Sequence, residues 1–213
     1  EVKTAGGSQV AVMTGRDEVP ADIVVLCIGT RANIGFVDPE EVKIGKPMVG
    51  NEQMETSVPG VFAAGDCCEG NNLETGKTQI IGLWANANYH GTVAGNHMSG
   101  GRKKFDGNIL HNITHFMDMD FIGFGDNRAQ GTVLTSGVLG KGLYIKVVCR
   151  DHEIEGVNIL DNYRISGIIK NYMLRLLQGG GNELTVFQKG MLIQAGMDES
   201  FIDRLEETVS GTN

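Results

Sequence analysis

The chain has 213 residues, 41% of them hydrophobic and 21% charged, the balance of an ordinary globular protein long enough for one large or two modest cores. Its net charge of -8 argues against nucleic acid or an anionic membrane as partner, since both select a basic face. No apolar run approaches the length of a bilayer span, no secretory signal pattern opens the sequence, and the 31 glycines follow no period that would indicate a repeat.

From the amino end, residues 2–12 alternate loosely, and Gln9 to Glu18 reads as a strand running into a turn. Ala21 to Gly29 is a continuous β-branched run closed by glycine, the pattern of a central strand buried on both faces. Residues 34–55 mix polarity around Pro39 and Pro47 and are expected to be loop with short strand pieces. In Thr56 to Asp66, Pro59-Gly60 marks a turn, and Val61 to Ala64 is an apolar run too short for a helix, so a fully buried, parallel-type strand is expected. Gly65 lets the chain pass close to something bulky. Asp66 then falls just past the strand's carboxyl end, where open α/β sheets place their ligands. A helix N-cap or an Asx-turn is the plain alternative for this carboxylate.

Residues 69–78 form a polar connection. Its Gly70, Gly76, Lys77 and Thr78 invite a phosphate-loop reading, which fails because five residues rather than four separate the glycines, no apolar strand leads in, and no amphipathic helix starts at Lys77. Leu83 to Met98 predicts a helix on which Trp84, Ala87, Gly91, Ala94 and Met98 make one narrow stripe of mostly small residues against a sheet. On that pattern Trp84 is a core or interface anchor. Gly100-Gly101 ends the helix, and Arg102-Lys103-Lys104 reads as a solvated linker.

From Phe105 the composition shifts towards strands. His111 and His115 would share one face of a helix, but no glutamate and no third ligand follow at a metal-binding spacing, so no metal site is assigned. Asp118 to Asp126 alternates as a strand does. Tyr144 to Arg150 and Ile154 to Leu160 bracket Asp151-His152-Glu153 as a hairpin with a three-residue connection; Ile145, Val147 and Cys149 lie on the covered side and Lys146, Val148 and Arg150 on the wet one. A helix from Tyr163 to Gln178 buries Ile165, Ile168, Ile169, Tyr172, Leu176 and Leu177 and stops at Gly179. A final helix, about Ser200 to Val209, carries Phe201, Ile202, Leu205 and Val209 on one face. Strands first and helices afterwards describe an α+β unit.

Cys27, Cys67, Cys68 and Cys149 show no C-x-x-C spacing, which excludes a zinc ribbon or a thioredoxin-type dithiol and implies a reducing, cytoplasmic setting. Cys27 and Cys149 sit in apolar patterns as small hydrophobes. A vicinal Cys67–Cys68 disulfide would depart far from preferred geometry.

The string from Thr56 to Asp66 resembles the "T-x-x-P-x-(I/V)-(F/Y)-A-x-G-D" signature of FAD-dependent pyridine nucleotide-disulfide oxidoreductases, with a nearly unbroken match over eleven positions. Two further strings agree. Ala21 to Asn33 is similar to that family's crossover from the NAD-binding to the FAD-binding domain, with Ala32 where proline is customary, and Trp84 onward is similar to its "W-x-x-A-x-x-x-G-x-x-A" helix. The resemblance implies that Asp66 accepts a hydrogen bond from a ribityl hydroxyl of FAD and that the helix amino end, with Trp84 and Ala85, faces the flavin pyrimidine ring. It assigns Gly29, Thr30, Gly65, Asp66, Trp84 and Ala85 to cofactor binding and no catalytic residue to this chain.

The resemblance also implies α/β plus α+β architecture. Residues 1–30 would be the terminal strands of an NAD(P)-binding domain, residues 31–104 the second segment of a Rossmann-like FAD domain, and residues 105–213 an interface domain that forms a homodimer. Neither G-x-G-x-x-G fingerprint of the family occurs here, so the chain is expected to be the carboxyl half of a longer flavoenzyme, inactive alone, whose missing amino-terminal half completes the site. The parent would pass hydride from NAD(P)H to FAD and on to an acceptor. A non-catalytic dimerisation or scaffold module of the same fold is the alternative.

Overall fold

The computed structural model describes residues 2–5, 8–12, 17–29, 31–45, 48 and 50–211, and the chain divides into two compact units, Glu1–Arg31 and Ala32–Asn213. In the first unit, β1 (Val2–Ala5), β2 (Ser8–Val12) and β3 (Glu18–Ala21) form an antiparallel sheet in that order. Val2 pairs with Ala11, and Val12 with Glu18. Pro20 has no N–H to give a neighbour, so β3 lies at the sheet's edge as that loss requires. The turn expected after Val12 falls on residues outside those described.

The central strand expected over Ala21 to Gly29 is a correction. Regular pairing ends at Ala21, and Ile23, Val25, Leu26 and Ile28 continue as exposed, irregular chain, with Ile28 87% accessible and Cys27 exposed as well. A doubly buried strand needs a strand on each side and a layer on each face, and no described strand pairs with this run.

The second unit opens with largely irregular chain folded over a small core of Val42, Met48, Met54, Ala63, Cys68, Val93, Ala94 and Phe105. The turn at Pro59-Gly60 is present: Val61 N–H donates to Val58 O at 3.0 Å, with Gly60 at φ 80° as a type II turn demands. The buried parallel strand expected over Val61 to Ala64 is not. Phe62 makes a single antiparallel bridge to Glu55 across the turn of the same segment, Val61 is exposed, and of these four residues Ala63 is the fully buried one. The polar connection after Asp66 is a hairpin of β4 (Gly70–Asn72) and β5 (Lys77–Gln79), so Lys77 begins a strand. Helix α1 runs from Trp84 to Met98, and Gly100, at φ 85°, ends it.

The remainder is a five-stranded antiparallel sheet in the order β6 (His111–Phe116), β7 (Met119–Gly125), β10 (Glu153–Leu160), β9 (Tyr144–Arg150), β8 (Thr132–Gly137). Its covered face packs Ile122, Phe124, Ile145, Val147, Val157 and Ile159 against Ile165, Ile169, Tyr172 and Met173 of α2 (Tyr163–Leu177) and Phe201, Ile202, Leu205 and Val209 of α4 (Glu199–Ser210). The four residues expected to face inward on the last helix all do so. On α2, Ile168, Leu176 and Leu177 are only partly buried, and Met173 takes their place in the core.

Two details of the hairpin differ from the sequence reading. Glu153 pairs with Arg150, leaving a two-residue loop of Asp151 and His152 at φ 51° and 67°, the left-handed pair of a type I′ turn. Val148, expected to be wet, is 1% accessible, so part of the second face is covered too. His111 and His115 lie on strand β6, not on a helix. Helix α3 (Val186–Gln194) was not expected; its mark in the sequence is the capping box in which Thr185 and Gln188 satisfy each other's backbone N–H groups.

Phe201, fully buried, fills part of this core, and Phe201→Ala empties it. The substitution is expected to lower the unfolding free energy by about 3–5 kcal/mol, read from urea denaturation; a loss below about 1 kcal/mol would show that the helices do not close on the sheet as described.

Candidate functional site

The site is built on one turn and one helix of the second unit. After Ala63 enters the core, the chain makes a single 3-10 turn, Gly65–Cys67, closed by Cys68 N–H donating to Gly65 O at 3.1 Å. Met48 and Cys67 are also joined, Met48 N–H to Cys67 O at 2.9 Å, which fixes the far side of the turn. Gly65 has φ 77°, a left-handed conformation that glycine adopts without strain. A Cβ there would also crowd the Cβ of Ala87 on α1 at 3.3 Å. Close approach of turn to helix therefore depends on a glycine on one side and an alanine on the other.

Asp66 follows, with an exposed side chain. Its Oδ2 lies near Gly82, where an added Cβ would be 3.9 Å away, so the carboxylate stands over the residues that lead into α1. The helix begins without a side-chain cap: Leu83 holds the N-cap position in extended conformation and makes no capping bond, while Leu83 N–H turns back to Ile81 O at 2.7 Å. The first-turn N–H groups thus carry the helix's positive end without an internal side-chain acceptor. Trp84 is 90% accessible and Ala85 is exposed; both line a shallow depression of about 300 Å³ with Asn88, Tyr89, Thr92 and Lys103. A larger depression of about 1010 Å³, with Met54, Gly70 and Phe105 in its wall, includes none of the predicted site residues.

Of the six residues singled out in the sequence, Gly65, Asp66, Trp84 and Ala85 meet at the head of α1. Gly29, exposed at φ 87°, belongs to the first unit, and Thr30 lies outside the described residues. The expected stripe on α1 is a correction. Trp84, Gly91 and Met98 are exposed, and the buried face is Asn86, His90, Val93 and Ala94.

The side chains of that face meet polar partners. Gly65 N–H donates to His90 Nδ1 at 3.3 Å, the Asn86 amide lies 3.2 Å from His90 Nε2 and donates to Ile81 O at 3.2 Å, and Asn108 donates to Asn86 Oδ1 at 3.2 Å. The His90 ring meets Phe105 edge to face at 4.5 Å. Burial pushes the His90 pKa below its ordinary value, with the Asp66 carboxylate drawing it weakly the other way. All four cysteines are free thiols, and burial raises Cys68 to about 12, which removes it from thiolate chemistry at neutral pH.

Residues 1–91 match the family model described as pyridine nucleotide-disulphide oxidoreductase. The chain is 32% identical over 170 residues to an NAD(P)H sulfur oxidoreductase (CoA-dependent) of Pyrococcus furiosus, an alignment covering 78% of this chain and 37% of that protein. It is 32% identical over 105 residues to an NADH oxidase of Methanocaldococcus jannaschii, covering 49% of this chain and 23% of that one. Among solved structures, an FAD-dependent pyridine nucleotide-disulphide oxidoreductase from Desulfovibrio vulgaris superposes with a TM-score of 0.71 at 18% identity, over 99% of this chain and 54% of the other, a likeness of fold. The chain thus spans well under two thirds of the relatives it matches.

His90 gives the site a pH signature with a definite sign. Its folded pKa lies below the ordinary 6.5, so the unfolded chain binds more protons as pH falls through that value, and stability is lost on the acid side. His111, also depressed by burial and by Lys170, adds in the same direction. The urea midpoint is expected to fall from about pH 7.5 to about pH 5.5, and to fall less in His90→Asn; equal falls in both proteins would contradict a neutral, buried His90.

Proposed function

We propose, from the chain's membership of the pyridine nucleotide-disulphide oxidoreductase family, that it supplies part of the FAD site of an enzyme moving hydride from NAD(P)H through flavin to an electron acceptor. Oxidoreductase chemistry is the family's; the assignment of cofactor and residues in this chain is the proposal. The observation that carries it is the meeting of an exposed Asp66 carboxylate with the uncapped amino end of α1.

The residues suit the group. Asp66 is an acceptor free of any side chain that would compete for it among the described residues, placed where a ribityl hydroxyl can donate. Gly65 and Gly82 leave the approach open, since neither carries a Cβ. The first turn of α1 with Trp84 and Ala85 offers backbone N–H groups and a positive dipole end, which favour negative charge on a ring placed there. Bound FAD would supply the hydride acceptor and electron carrier that no side chain of this chain provides.

Gly29 and Thr30 are proposed to complete the cofactor contacts from the segment 1–30, with 31–104 as the FAD-domain segment and 105–213 as an interface domain. Exposed Val186, Phe187, Met191 and Ile193 on α3 suit that last unit to pairing with a second copy. Four free thiols suit a reducing cytoplasm, and no described helix is long and apolar enough to cross a membrane.

The 213-residue chain alone is expected to be colourless with little affinity for FAD, whereas a polypeptide that also carries the family's glycine fingerprints should be yellow and bleached by NADH. Asp66→Ala in that polypeptide should weaken FAD binding about tenfold, measured by quenching of flavin fluorescence. A colourless polypeptide, or unchanged affinity in the variant, would overturn the reading.

A further inference from the structure

We infer that His90 is the positioning residue of this site: its neutral ring holds the Gly65 turn and thereby sets the direction in which Asp66 is presented. The inference rests on the reading that Asp66 receives a flavin hydroxyl, but it makes claims about the chain that need no flavin to test.

His90 lies two turns into α1 and is completely buried, on a helix face that would ordinarily be apolar. Its ring is held from several sides. Phe105 meets it edge to face at 4.5 Å, and the Asn86 amide faces Nε2 at 3.2 Å. Gly70 closes behind, where an added Cβ would lie 2.8 Å from Nε2, so that only glycine leaves room for the imidazole. Asn86 is itself anchored to Ile81 O, beside the head of the helix, and to Asn108, on the segment leading to the five-stranded sheet. Asn108 in turn is bonded to Asn71 and Leu73 through its backbone, N–H to Asn71 O at 3.0 Å and O from Leu73 N–H at 2.9 Å. The ring therefore has a fixed place relative to helix, hairpin and sheet.

From that place Nδ1 accepts the Gly65 N–H at 3.3 Å. A backbone N–H can only donate, so this bond requires an unprotonated Nδ1 and leaves the ring proton on Nε2, where it faces the Asn86 amide nitrogen rather than an acceptor. At φ 77° the Gly65 amide is directed inward to the ring while the next side chain, Asp66, stands in solvent over the head of α1. Removing the acceptor would leave the Gly65 N–H without its protein partner and let the turn choose among conformations, of which glycine has more than any other residue. A preorganised carboxylate binds better than one that must be ordered on binding, so the acceptor acts on FAD affinity at one remove.

Two substitutions separate this role from simple packing. Asn places its Oδ1 close to where Nδ1 stood, whereas Gln carries its polar end out to the Nε2 position and leaves nothing facing Gly65. In the 213-residue chain, amide hydrogen exchange at Gly65 should be slow in the native protein and in His90→Asn and about tenfold faster in His90→Gln. In the flavin-binding polypeptide, His90→Gln should raise the FAD dissociation constant about tenfold while His90→Asn stays within about threefold, at matched thermal midpoints. Equal behaviour of the two variants would overturn the inference. The native chain provides a check that needs no substitution: ring nitrogen shifts should show the proton on Nε2, with a scalar coupling across the hydrogen bond from Gly65 N to His90 Nδ1. A proton on Nδ1 would overturn it as well. Asp66→Ala in the same polypeptide keeps the two ideas apart, because unchanged FAD affinity there refutes the flavin assignment whatever His90 does.

Discussion

The left-handed turn at Gly65 is the constraint on which the site rests. Only a residue without Cβ can hold φ 77° at no cost and also come within contact of Ala87. That one conformation separates two groups that are neighbours in sequence. The Gly65 amide points into a buried imidazole, and the Asp66 carboxylate points into solvent above the beginning of α1. That carboxylate lies beside an uncapped helix amino end, whose peptide dipoles are positive. It is also ready to accept a hydrogen bond from a polyhydroxyl ligand.

The second constraint is the buried polar face of α1. Asn86 and His90 occupy positions that hydrophobic packing would normally claim, and there Gly65 bonds His90 Nδ1 while Ile81 and Asn108 bond the two ends of the Asn86 amide. Such networks fix geometry more strictly than apolar contacts do, since a small displacement breaks a directional bond. Asn108 carries this restraint into the segment before β6, where the chain enters the sheet packed by α2 and α4. The large core of the second half, drawn from residues between Ile109 and Val209, lies beyond that segment, while the site sits on the Gly65–Cys67 turn and the head of α1.

Much of this was legible from residue patterns. The four inward residues of α4 follow from helical spacing, the turn at Pro59-Gly60 from the conformational limits of proline and glycine, and the end of α1 from Gly100. The meeting of Gly65, Asp66, Trp84 and Ala85 followed from a motif, not from periodicity. What misled was the assumption that apolar means buried. Trp84 is exposed and His90 is buried, the reverse of their hydrophobicity, because the helix was read with the wrong stripe facing inward. A period of 3.6 marks a face only when the buried residues are apolar, and two of the four here are not. The run Ile23 to Gly29 failed for a related reason: β-branched residues favour an extended chain, but extension becomes a strand only when another strand lies beside it.

The sequence by itself determined the local rules: the turn at Pro59-Gly60, the glycines at which the helices stop, the inward face of α4, and the family to which the G-D string points. Those properties depend on neighbours a few positions apart, and a linear pattern records them. The tertiary structure decided which face of α1 is buried, that His90 reaches Gly65 across 25 positions, and that Asp66 stands free at the helix head. These depend on where the acceptors for buried donors come from, and that is settled only when segments distant in sequence pack together.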